Sequence, residues 1–234
     1  ESLSAAIADR LAASVVRFER PLATSVRNGD GIDELKARIV ACASPVASRI
    51  SSDLFRLPID RAFSVRGVGT VLTGTVWSGT VAVGDEVLVL PGALRGRVRS
   101  VESHGRSLQR SEPHARTAVG LAGVDRSAID RGDVVVAQRD PWQVTTAFDA
   151  ELTVHADAPR PIGTRTRIRV LIGTAEIMAR VLPRTPIPPG GTGLARLALE
   201  HPIVARGGDL FVMRSYSPVS TIGGGRVLDP APPR

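Results

Sequence analysis

The sequence has little with which to brace a fold covalently. Cys42 is its single cysteine among 234 residues, so no internal disulfide can form, in keeping with a reducing, cytoplasmic setting. Aromatic residues make up 3% of the chain, so the core has to be built from Val, Leu, Ile and Ala. His104, His114, His155 and His201 are scattered, and none stands at metal-ligand spacing from another histidine or from Cys42. A membrane-spanning run of about 18 apolar residues is missing. The opening ESLSAAIADR has no basic n-region and is not a signal peptide. It starts at Glu1 without an initiator methionine, and a fragment of a longer chain is expected. No GxxxxGK[ST] pattern occurs, so the usual cradle for nucleotide phosphates is absent. The glycine-rich GVGT (67–70) and GGGR (223–226) lead into no helix and read as strand or bulge devices.

What the chain does have is positive charge and β-branched runs. The formal net charge is +7 and the pI about 11.1, a balance that favours an anionic partner such as RNA. Lys36 is the lone lysine, so the charge is almost all arginine. That skew can also reflect genome composition.

Residues 1–44 read as helix, strand, helix. Ile7, Leu11 and Val15 share one helical face, 16–26 reads as a short strand apart from Pro21, and Asp33 and Glu34 open a second helix where the helix dipole favours acids. The pattern is the tail of an α/β domain, too small to stand alone. From about residue 45 no long helix follows. Short strands are predicted over 54–59, 70–76, 86–90, 94–101, 117–121 and 134–136, then over 147–155, 166–172, 175–182, 193–199, 209–214 and 221–228. The fold class is therefore mainly β, as two consecutive β-barrels over 45–140 and 141–234, with AQRDPWQV as the linker. GDEVLVL, RGDVVVA and RGGDLFVMR each place Gly-Asp ahead of an apolar strand, which suggests similar tight turns at three barrel corners.

No nucleophile–base constellation stands out, and no catalytic residue is assigned. Arg95, Arg97 and Arg99 alternate with Leu94, Gly96 and Val98, and Arg165, Arg167 and Arg169 flank Thr166, Ile168 and Val170. Period two places each trio on one sheet face. Either face is simply solvated, or it is a track for RNA phosphates. Asp60–Arg61 and Asp130–Arg131 repeat an acid–base order at strand ends. They are ordinary turn ion pairs, or their two arginines converge at one barrel end.

The stretch RLPIDRAFSVRGVGTVLTGTVWSGTVAVGDEVLVLP (56–91) resembles the second domain of translational GTPases of the elongation factor Tu class. PIDRAF, IDRGD, RTRIRVLIGTAEIMARVLP and LALEHPIVARGGDLFVMRSYSPVSTIGGGRVLDP are similar to the selenocysteine-specific elongation factors (SelB), and LATSVRNGDGIDELKARI resembles the end of that family's GTPase domain. The likeness covers nearly the whole chain. It implies a tRNA-binding role in delivering selenocysteyl-tRNA to the ribosome. GTP and Mg2+ would be cofactors of the full-length factor, and no cofactor belongs to this chain, which lacks the P-loop. An mRNA hairpin would be bound by C-terminal modules beyond it, and no membrane is involved.

By the same resemblance Asp60, Arg61 and Arg131 line the selenocysteine pocket, and Asp130 and Arg131 lie at the terminal adenosine. Arg165, Arg167 and Arg169 are candidates for the tRNA backbone. A selenol is more acidic than a thiol of pKa about 8.5, and two guanidiniums favour such an anion over neutral serine. Asp60 is expected to orient Arg61 and to meet the amino group. Another Tu-like GTPase, the sulfate-activating GTPase subunit among them, and a barrel that binds only proteins are the alternative readings.

Overall fold

The computed structural model of the chain describes residues 2–12, 21–43 and 53–233. The N-terminal unit contains α1 (Ser2–Ala12) and α2 (Ile32–Ala43). Asp33 and Glu34 sit in the first turn of α2, and Lys36–Asp33 and Arg38–Glu34 pair along its exposed side. The strand expected over 16–26 is not seen in its described part. Pro21–Ser25 forms no regular element, as suits a segment opened by a residue with no amide to donate, and residues 16–20 lie outside the described residues.

The first barrel is built from β1 (Arg56–Val65), β2 (Gly69–Thr75), β3 (Glu86–Leu90), β4 (Leu94–Ser103), β5 (Arg106–Leu108), β6 (Arg116–Ala122) and β7 (Val134–Ala137). Its antiparallel strands run β3-β7-β1-β2-β6-β4, and pairing of β3 with β4 closes the ring, with β5 attached outside β4. Leu57, Ile59, Leu72, Val87, Val89, Val119 and Val135 fill the interior. The second barrel comprises β8 (Val144–Val154), β9 (Thr166–Ile172), β10 (Ala175–Pro183), β11 (Thr192–Val204), β12 (Leu210–Ser215) and β13 (Thr221–Asp229). It closes in the order β10-β11-β8-β13-β12-β9. Phe148 and Phe211 meet edge to face at 5.4 Å in a core otherwise aliphatic. The chain is thus mainly β, two closed six-stranded barrels, as its strand periodicity predicts. Of the barrel strands only β5 escapes the sequence pattern, because Arg106–Leu108 is short and polar.

The three Gly-Asp units do form one recurring corner. Gly84, Gly132 and Gly208 have φ of 95°, 104° and 94°, the third position of a type II turn that glycine alone enters freely. In each, the following aspartate donates its amide to the carbonyl three residues earlier, and its carboxylate accepts that same residue's amide. Asp85 closes on Ala82, Asp133 on Asp130 and Asp209 on Arg206.

The barrels are joined through a buried junction. On β7, Val135 faces the first core, while Val134 and Val136 on the other face pack with Leu90 and with Val204 of the second barrel. Both faces being covered explains the unbroken apolar run VVVA. Beside it Arg56, 6% exposed, sends Nη1 and Nη2 to the Asp209 carboxylate at 2.6 and 2.7 Å. Its guanidinium lies 4.7 Å from the Trp77 ring and 5.0 Å from that of Trp142. Arg206 holds Asp53 at 2.8 Å nearby.

Candidate functional site

Asp60 is carried on a β-bulge. Ile59 pairs with Gly74 and Arg61 with Thr73, so Asp60 is an extra residue in β1. Ile59 and Ala62 pack into the core, and the bulge turns the intervening Asp60 and Arg61 out over the β1-β2-β6 face. Gly74, on β2, has no room for a side chain, since a Cβ there would overlap the Pro58 carbonyl. Strand β6 carries Arg116 exposed at its start and half-buried Ala118 two residues on, while a Cβ on Gly120 would run into Ser100 and Val68.

Arg116 reaches Asp60 across β2. Its Nη2 donates to Asp60 Oδ1 at 2.9 Å, its Nη1 donates to Oδ2, and the Thr73 hydroxyl donates to Oδ1 at 2.9 Å. The forked bond from Arg116 is the largest cause holding the Asp60 carboxyl below its ordinary pKa. Burial opposes it, and Thr73 and the charges of Arg116 and Arg61 reinforce it. The same pairing raises the pKa of Arg116. The Arg61 side chain is exposed and, among the described residues, makes no hydrogen bond or ion pair. The expected orientation of Arg61 by Asp60 is therefore replaced by a fork to Arg116. The outcome is a fixed carboxylate with one bonded and one unbonded guanidinium beside it.

Asp130 and Arg131 lie in the corner before β7, whose Gly132 amide donates to the Ile59 carbonyl. Asp130 is exposed and takes part in the Gly-Asp corner through its backbone. Arg131 turns to the second barrel, where its Nε donates to the Thr174 carbonyl at 3.3 Å. Among the described residues Arg131 and Arg61 share no hydrogen-bond partner. Asp133, next to them, has its carboxyl pKa raised by burial.

Of the three arginines expected on one face, Arg167 and Arg169 do share the outward side of β9, beside buried Ile168 and Val170. Both are already neutralised. Arg167 forks onto Glu200 at 2.9 and 2.8 Å and lies 4.7 Å from the Tyr216 ring, and Arg169 binds Glu176 at 2.7 Å. Arg165, in the turn before β9 with φ of 61°, is exposed and without an ion pair among the described residues. Exposed Arg180 stands opposite Arg167, and Arg214 opposite Arg169, two cations that strand periodicity alone did not bring to this patch. In the first barrel Arg95, Arg97 and Arg99 are all exposed, and Arg97 reaches the Gly84 carbonyl at 3.2 Å. Among the described residues no three His, Cys, Asp or Glu side chains are grouped to hold a metal ion. No helix there is long and apolar enough to cross a membrane.

Comparison with known proteins agrees with this architecture. Residues 69–136 match the family model of elongation factor Tu domain 2, and residues 149–234 that of the β-barrel domain of the selenocysteine-specific elongation factor. The selenocysteine-specific elongation factor of Desulfomicrobium baculatum is 34% identical over 222 residues, 94% of this chain and 35% of that protein. The apo crystal structure of translation elongation factor SelB from Methanococcus maripaludis superposes with a TM-score of 0.77 at 25% identity, over 89% of this chain and 50% of that one. A crystal structure of the bacterial selenocysteine-specific elongation factor EF-Sec shares the fold, with a TM-score of 0.77 over 98% of this chain and 36% of its own. The two barrels are those of an elongation-factor-Tu-class translation factor. Within that class the chain belongs to the family of selenocysteine-specific elongation factors, and it spans about a third of the Desulfomicrobium relative's length.

Proposed function

We propose that this chain is the tRNA-binding part of a selenocysteine-specific elongation factor, which with GTP delivers selenocysteyl-tRNA to the ribosome. The observation that carries the reading is the Asp60 carboxylate set between Arg116, which it binds, and Arg61, which is unbonded, on an exposed barrel face. An amino acid esterified to tRNA brings two charges to such a site, an ammonium and, for selenocysteine, a selenolate. Asp60 Oδ2 accepts from Arg116 alone and keeps a lone pair for the ammonium. Arg61 and Arg116 supply donors for the selenolate, where a serine hydroxyl brings no charge to meet them. Thr73 keeps the carboxylate in place through either encounter.

Arg131 is assigned a supporting part, because its guanidinium is directed at Thr174. Asp130, exposed on the same corner, stays the candidate for the terminal adenosine. Arg165, in the turn before β9 and beside the strand that carries Arg180, is the better phosphate contact. Arg167 and Arg169 would first have to leave Glu200 and Glu176. GTP and Mg2+ would bind residues outside this chain, whose sequence has no P-loop, and the mRNA hairpin and ribosome would be met by the full-length factor. The barrel residues described here act by binding and orienting the aminoacyl end, and no chemical step falls to them.

The test is protection of the aminoacyl ester against hydrolysis by the full-length, GTP-bound factor. Selenocysteyl-tRNA should be protected at concentrations that leave seryl-tRNA exposed, and Arg61→Ala or Arg116→Ala should erase the difference. Equal protection of both esters by the wild type would contradict the proposal.

A further inference from the structure

We propose that Thr174, at a hairpin tip of the second barrel, is a positioning residue for the Asp60–Arg61 site of the first. Its hydroxyl fixes the Ile59 carbonyl at the bulge that carries both residues. The inference rests on the reading of that site as the aminoacyl pocket.

Strands β9 and β10 are joined by Gly173 and Thr174 alone, with Ile172 paired to Ala175. Gly173 has φ of 60°, as the first central position of a II′ turn requires. That tip is pressed onto the first barrel. A Cβ on Gly173 would stand 3.4 Å from Pro58 and from the Trp77 ring, and one on Gly132 only 2.9 Å from Ala175 Cα. Two backbones approach where glycine lets them, and Thr174 is set into the contact.

Its polar groups are used on both sides. The Thr174 hydroxyl donates to the Ile59 carbonyl at 2.7 Å, and its own carbonyl accepts from Arg131 Nε at 3.3 Å. The Ile59 carbonyl also accepts the Gly132 amide at 3.1 Å, while the Ile59 amide donates to the Asp133 carbonyl at 2.8 Å. At the bulge, the carbonyl of the Ile59–Asp60 peptide is thus held by Gly132 and Thr174. That peptide sets where the Asp60 side chain departs, and so whether its carboxylate meets Arg116 squarely. Arg131 acts in the same direction at one remove, by holding Thr174.

The hydroxyl is not what keeps the barrels together. The Arg56–Asp209 fork, the Arg206–Asp53 pair and the Val134–Val136–Val204 cluster do that independently. Thr174→Val, nearly the same shape without the donor, is therefore expected to fold and dock, with the Ile59 carbonyl left to Gly132 alone.

Two readouts separate positioning from bulk structure. In the full-length GTP-bound factor, Thr174→Val should lower the preference for selenocysteyl- over seryl-tRNA about 2- to 10-fold, the scale of one net hydrogen bond, and Thr174→Ser should restore it. In the 234-residue chain, NMR titration of the Asp60 carboxyl should show its pKa rising towards the ordinary value in Thr174→Val and returning in Thr174→Ser. If Thr174→Val keeps wild-type preference while Arg61→Ala loses it, the positioning role is wrong and the pocket stands. If Arg61→Ala and Arg116→Ala keep the preference, the pocket reading fails, and the Asp60 titration alone decides the role of Thr174. An unchanged Asp60 pKa in Thr174→Val overturns it.

Discussion

Asp60 and Arg116 lie 56 residues apart in sequence, yet they face one another across β2, with Nη2 2.9 Å from Oδ1 and the second prong closed by Nη1. The fork makes Asp60 a fixed point for the site and brings in an arginine from a third strand.

Replacing Arg116 by Ala should remove one of the two guanidiniums and release Asp60. The preference for selenocysteyl-tRNA should fall at least about tenfold, the scale of one charge-assisted hydrogen bond. Equilibrium binding of the two charged tRNAs to the full-length variant measures it. Since the side chain of Arg116 is about half exposed, the melting temperature should change little.

Asp60 should titrate below an ordinary aspartate, chiefly because of Arg116. A folded-state pKa lowered relative to the unfolded chain gives a stabilisation that is whole above about pH 4 and fades as pH falls through the folded value. Carbon-detected NMR of the side-chain carboxyl reads this directly. In Arg116→Ala the midpoint should rise.

The barrel architecture was legible in the sequence, and the centre of the site was only half legible. Strands such as Glu86–Leu90 and Thr166–Ile172 announce themselves because β-branched residues alternate or run unbroken between turns. Asp60 and Arg61 drew notice as a charge pair at the end of the strand expected over 54–59. Arg116 did not, because it opens β6 in a polar stretch, and nothing local says that β6 lies one strand from β1. Arg131 matched a motif, but its direction depends on docking of the second barrel, which is a tertiary event. Likewise period two correctly put Arg167 and Arg169 on one face, while the glutamates that neutralise them come from β10 and β11.

The junction offers a stability test. Asp209→Ala leaves the Arg56 guanidinium buried beside two tryptophans without its carboxylate, and should cost about 3–5 kcal/mol. Urea unfolding of the 234-residue chain measures the loss. The double replacement Arg56→Met with Asp209→Leu should recover most of it, since no buried charge is then left unpaired.

Gly132→Ala combines two penalties. The backbone has φ of 104°, and the new Cβ would fall 2.9 Å from Ala175 Cα. Thermal unfolding should show a loss of about 1–3 kcal/mol. The corresponding change at Gly84, whose φ is 95° but whose Cβ would meet nothing within 4 Å, should cost less.

The central claim is that Arg61 and Arg116 read negative charge on the amino acid, and cysteine provides its sharpest probe. One tRNA body is charged through a stable amide with selenocysteine, cysteine or serine, and its affinity for the full-length GTP-bound factor is followed from pH 6.5 to 9.5. The account predicts that all three forms weaken together as the α-amino group loses its proton at about pH 8, with the selenocysteine form tighter than the serine form throughout. The affinity of the cysteine form relative to the serine form should rise as the thiol ionises at about pH 8.5. A cysteine-to-serine affinity ratio that stays flat across the range would contradict it.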